Sequence, residues 1–150
     1  FLNFLGDRMV KIPEGLKGPI NNAYPKNVCL VGTVQPDGWS QISPKGSVCV
    51  YKEESLVYWD RGSGSTFDAV TDGTKVMIFF RSPEMREKGI LPMGGIARFY
   101  GRASVFSEGP IREEVWNLMV QPERDHDPDK KGRAVVVKIE RSEDLSGDPL

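Results

Sequence analysis

Turn chemistry constrains this chain more than any other feature. Sixteen glycines and eleven prolines fall among 150 residues, and many stand in clusters: Pro36-Asp37-Gly38, Pro44-Lys45-Gly46, Gly62-Ser63-Gly64 and Asp72-Gly73. In the first cluster proline pre-sets φ and glycine takes the positive φ that a tight turn needs. Punctuation this dense suits short strands and excludes a bundle of long helices. Between the clusters lie β-rich runs at 28–35, 39–43, 47–51, 55–60, 75–81, 97–106 and 134–141. The run Lys75 to Arg81 (KVMIFFR) is the most strand-like and is expected near the centre of the sheet. Gly101, inside the longest run, predicts a bend or bulge.

Helical signals are fewer. Ile111, Val115, Leu118 and Met119 recur at helical spacing with Pro110 at the first turn, which predicts a helix over 110–120. Ser65 followed by Asp68 fits a capping box and predicts a short helix over 66–71. Residues 1–27 read as a brief helix and an extended arm, 82–95 as a long excursion, and 121–133 as a polar loop. Pro44-Lys45-Gly46 is expected to break a strand. The fold class is therefore mainly β: a closed or nearly closed antiparallel β-barrel with peripheral helices. It is expected as a single domain with an arm at 1–27, the barrel at 28–141 and a tail at 142–150.

Composition narrows the function classes. Hydrophobic residues make up 39% and charged residues 27%, a globular balance. A formal charge of −1 argues against a nucleic-acid binder or a membrane-surface protein. No window approaches the roughly 20 apolar residues of a membrane span. Phe1-Leu2-Asn3-Phe4-Leu5 is too short and lacks the basic leader of a signal peptide, so a cytoplasmic protein is expected. Cys29 and Cys49 each sit in an apolar run and read as packing thiols in neighbouring strands rather than a disulfide. One histidine, His126, cannot build a multi-histidine metal site, so no metal is expected. A catalytic triad would have to use the same residue, and no GxSxG elbow accompanies it.

The strongest local signal for chemistry is Arg61-Gly62-Ser63-Gly64-Ser65-Thr66. A Gly/Ser loop that enters a helix offers backbone N–H groups at the positive end of a helix dipole, a seat for phosphate. The hydroxyls of Ser63, Ser65 and Thr66 could donate to that phosphate, with Arg61 or Lys45 as counter-charge. The Gly-Lys-Ser/Thr ending of a nucleotide P-loop is absent. The plain alternative is an ordinary turn with a helix cap. Trp59 precedes the loop and Trp39 opens the second strand. An aromatic ring beside a phosphate seat suits a planar phosphorylated cofactor, and the alternative is that both indoles pack in the core or an interface.

The segments VGTVQPDGWSQISPKG, LVYWDRGSGSTFDAVTDGTKVMIFF and ARFYGRASVF, spanning roughly 28–106, resemble the pyridoxamine 5′-phosphate oxidase-like family of split barrels that bind flavin mononucleotide (FMN). The resemblance implies a split β-barrel of the FMN-binding type. It also implies a homodimer with FMN between the chains and an oxidoreductase acting on a small molecule. By position, Trp59, Asp60 and Arg61 would flank the flavin, Ser65 and Thr66 would meet its phosphate, and Lys45 and Ser47 would add polar contacts. The oxidase proper has an Arg-Lys pair where this chain has Ser65-Thr66, and a Gln where it has Ile96. That departure directs the expectation away from pyridoxamine phosphate itself. The catalytic residues are not assigned. Alternatives of other kinds are a non-catalytic flavin carrier or sensor, and the same barrel using haem or a deazaflavin, with His126 as the candidate haem ligand.

Overall fold

The computed structural model describes residues 10–62 and 69–150. Helix α1 (Glu14–Asn21) precedes strands β1 (Cys29–Val34), β2 (Ser40–Lys45), β3 (Cys49–Tyr51), β4 (Ser55–Asp60) and β5 (Lys75–Arg81). Helix α2 (Pro83–Glu87) and a 3-10 turn (Met93–Gly95) fill the excursion before β6 (Ile96–Phe106). Helices α3 (Pro110–Leu118) and α4 (Gln121–Asp125) lead to β7 (Arg133–Glu143). The helix expected over 66–71 falls largely outside the described residues.

The strands form one antiparallel sheet in the order β2-β1-β5-β6-β7-β4-β3. Its two edge strands, β2 and β3, are consecutive in the chain. The sheet therefore curls until its edges are bridged by residues 46–48, which makes a split β-barrel. Alternation sorts the side chains: Val31, Tyr58, Ile78, Phe80, Phe99 and Val137 point into one core. Ile12, Leu16 and Ile20 bring the N-terminal segment and α1 onto that same core. A second, smaller cluster lies on the outer side of β3, β4 and β7. There Val115 and Met119 cover Val57, Trp59 and Ala134.

Several local expectations change. The strand β2 continues through Pro44, paired with Leu30, because an edge strand can carry a residue without an N–H. The thiols Cys29 and Cys49 are buried and free, as expected, yet β1 and β3 are not adjacent in the sheet. Residues 121–125 form α4 rather than loop, and α3 ends at Leu118. Strand β7 runs to Glu143, and the tail folds back through a bridge between Glu143 and Pro149. Gly101 marks a register shift against β7, as its position predicts. No helix among the described residues is long and apolar enough to cross a membrane.

Candidate functional site

The strand β4 reads SLVYWD, and every residue in it is buried. Alternation sends Tyr58 and Asp60 inward and Trp59 outward. A carboxylate at the end of such a strand, 1% exposed, needs positive partners. Two arrive from distant parts of the chain. Arg133, the first residue of β7, is the direct cross-strand partner of Asp60. Its Nη2 stands 3.9 Å from Asp60 Oδ2 and donates to the Val70 carbonyl at 2.7 Å. Lys45, the last residue of β2, places Nζ 3.8 Å from Asp60 Oδ1 and 5.8 Å from the Tyr58 ring centroid.

These contacts are ion pairs without tight hydrogen bonds. Asp60 Oδ2 and the Tyr58 hydroxyl are buried with no hydrogen-bond partner among the described residues. Burial pushes the Asp60 carboxyl above the ordinary carboxylate value, and Lys45, Arg133 and the Gly62 N–H pull it back without cancelling that effect. Burial likewise raises the Tyr58 phenol, helped by the nearby Asp60 charge. Two cations meet one carboxylate here, and Asp60 Oδ2 is an acceptor still in want of a donor. Chemically it can accept an N–H or O–H at Asp60 beside the Lys45 ammonium, which can meet an anion.

The other expected site residues divide. Arg61 is exposed and follows directly on Asp60. Ser63, Ser65 and Thr66 lie outside the described residues. Ser47 is buried, and its hydroxyl is occupied by the backbone of Trp59, accepting from the N–H at 2.9 Å and donating to the carbonyl at 3.4 Å. Trp59 faces away from the Asp60 group. Its indole packs edge-on to Trp116, ring centroids 5.0 Å apart, and donates to Asp127 Oδ2 at 2.8 Å. Trp39, in contrast, is 75% exposed beside β2. His126 is exposed at the end of α4, and no group of three metal-ligating side chains occurs among the described residues.

Sequence reasoning passed over Tyr58, Arg133 and the supports around them. Arg112 of α3 donates to the carbonyls of Lys130 and Gly132 and lies 5.0 Å from the Trp59 ring centroid. Asp127 accepts from the Lys131 and Gly132 N–H groups as well as from the indole. This loop delivers Arg133 to Asp60. The one available signal was the acid closing an apolar strand, which demands a counter-charge without saying where it comes from.

Comparison with known proteins agrees with the architecture. No curated protein matches the sequence. HupZ of Group A Streptococcus is 25% identical, with a TM-score of 0.67 over 93% of this chain and 98% of that one. An FMN-binding protein from Syntrophomonas wolfei is 12% identical, with a TM-score of 0.61 over 86% and 83%. An F420 reductase is 14% identical, with a TM-score of 0.59 over 88% and 98%. The last two likenesses are of fold. A family model described as pyridoxamine 5′-phosphate oxidase matches residues 23–145, most of the split barrel. On that match the chain belongs to the pyridoxamine 5′-phosphate oxidase family.

Proposed function

We propose that this protein is an FMN-binding flavoprotein acting as an oxidoreductase on a small molecule. The observation that carries the reading is the convergence of Lys45 and Arg133 on buried Asp60, whose Oδ2 has no hydrogen-bond partner, in a member of this family. These residues fit a flavin nucleotide: the cations suit its phosphate or ring carbonyls, and the orphaned oxygen suits its N–H or a ribityl hydroxyl. Bound flavin would supply hydride transfer. The chain would supply orientation, charge neutralisation by Lys45 and Arg133, and exclusion of water by the β4 wall.

The test is a visible spectrum followed by titration of the purified protein with FMN. A yellow protein, or saturable quenching of flavin fluorescence, is the expected result. Lys45→Ala should weaken binding about tenfold or more, the equivalent of one charge-assisted hydrogen bond, and Arg61→Ala should act in the same direction. A colourless protein that ignores added FMN overturns the reading. Flavin that binds but is not reduced by NADH or NADPH would favour a carrier or sensor. A homodimer belongs to the same proposal, with sedimentation expected to give twice the 16.7 kDa chain mass.

A further inference from the structure

The sheet closes without a ladder at one place. Strands β2 and β3 are its two edges and share no pairing among the described residues, so the seam between them is held by residues 45–48 and what they touch on β4. Strand β3 pairs with β4 only as far as Val57. Beyond it the Ser47 hydroxyl stands in for a strand, accepting from the Trp59 N–H at 2.9 Å and donating to the Trp59 carbonyl at 3.4 Å. One residue further along β4, Lys45 of edge strand β2 sets Nζ 3.8 Å from Asp60 Oδ1. The turn cannot settle deeper, because a Cβ at Gly46 would already overlap the Glu123 carboxylate and the Tyr24 ring.

Charge decides which part of this seam can move. Asp60 faces Lys45 from β2, Arg133 from β7, and the Arg61 charge and Gly62 N–H from the end of its own strand, with Tyr58 two residues before it. Glu123 of α4 flanks the turn at Gly46. While Asp60 is ionised it is the counter-charge that keeps the Lys45 ammonium inside, where the side chain is 18% exposed. Once Asp60 is neutral, the two cations face one another with no negative charge between them. Arg133 stays, because its Nη2 is bound to the Val70 carbonyl at 2.7 Å. Among the described residues Lys45 then keeps only the Tyr58 ring, 5.8 Å away, and its four-carbon stem lets the ammonium turn to water. Burial holds the Asp60 carboxyl above the ordinary range, so its proton arrives in mild acid, before those of exposed carboxylates. The folded chain thus binds this proton more tightly than the unfolded chain, and the group takes no stability away as pH falls.

We propose that Asp60 and Lys45 form a pH-operated latch on the barrel seam. With Asp60 ionised the end of β2 is tied to β4. With Asp60 protonated Lys45 turns to solvent, and the 45–48 bridge loosens in a molecule that stays folded. The test is amide hydrogen exchange, followed by NMR on the whole chain without FMN from neutral to mildly acid pH, with rates corrected for intrinsic exchange. The Trp59 N–H, whose acceptor is the Ser47 hydroxyl, reports the seam, and Val137 in the middle of β7 reports the rest of the sheet. Trp59 protection should fall about three- to tenfold in mild acid, as for loss of one ion pair, while Val137 stays protected. Lys45→Met should show the lowered Trp59 protection at every pH, and Asp60→Asn should match it if that variant folds. Three outcomes overturn the latch: Trp59 protection that ignores pH, protection lost at Trp59 and Val137 together, or a pH response that survives in Lys45→Met. Because the measurement contains no flavin, each of them leaves the FMN reading untouched.

Discussion

At the residue scale, the supports of the Asp60 group are more sharply determined than the group itself. Asp127 is a buried carboxylate that accepts three N–H groups, from the Trp59 indole and from the backbones of Lys131 and Gly132. Burial opposes its ionisation, yet those donors, with the Arg112 charge, outweigh burial and hold it below the ordinary carboxylate value. A carboxyl depressed in this way stabilises the folded state above its unfolded value, and the contribution is lost as pH falls through the folded one. Asp127→Asn is therefore expected to cost about 1.5–3 kcal/mol at neutral pH, because one amide cannot accept all three donors. Urea unfolding across pH checks this: the gap from wild type should close in acid, and a gap that stays constant would refute the assignment. Gly132 packs against the same indole so closely that any Cβ would overlap it.

At the element scale, period and turn chemistry made most strands legible. KVMIFFR alternates between buried and open positions as a half-buried strand should. The bulge was legible too, because Gly101 is the residue at which a Cβ would overlap the Lys138 carbonyl of the neighbouring strand. Gly101→Ala is expected to destabilise the protein by about 1–3 kcal/mol, the usual cost of overpacking, as read by thermal or urea unfolding. Pro44 misled because a local rule, that proline ends strands, yields at an edge. Edge position is a property of the assembled sheet, and nothing near Pro44 in the chain reveals it. Likewise α4 is a short polar helix without an apolar stripe, so periodicity could not mark it.

Across the whole molecule, the curl of the sheet decides which groups water can reach. It buries the Cys29 thiol and raises it to about 12, through burial and then the nearness of Cys49, whereas Cys49 is buried in the outer cluster under α3 and rises to about 11. Both should stay protonated and closed to Ellman's reagent in the native state, even at mildly alkaline pH, and react in step with urea unfolding. Rapid stoichiometric reaction in native buffer would contradict the burial of both. The same curl separates the two faces of β4, so neighbours in sequence serve different ends. Asp60 enters the charged group, whereas Trp59 lies under α3 as packing.

Composition and turn spacing by themselves determined the mainly β class, the seven strand regions and the packing thiols, and the motifs within residues 28–106 carried the resemblance to the family. Those properties depend on residues a few positions apart, where covalent geometry and side-chain alternation act directly. Only the tertiary structure decided that Arg133 would meet Asp60, that Lys45 would close on the same carboxylate, and that Ser47 would be spent on the Trp59 backbone. Those meetings depend on which strands become neighbours when the sheet curls, and that is set by the packing of the whole core.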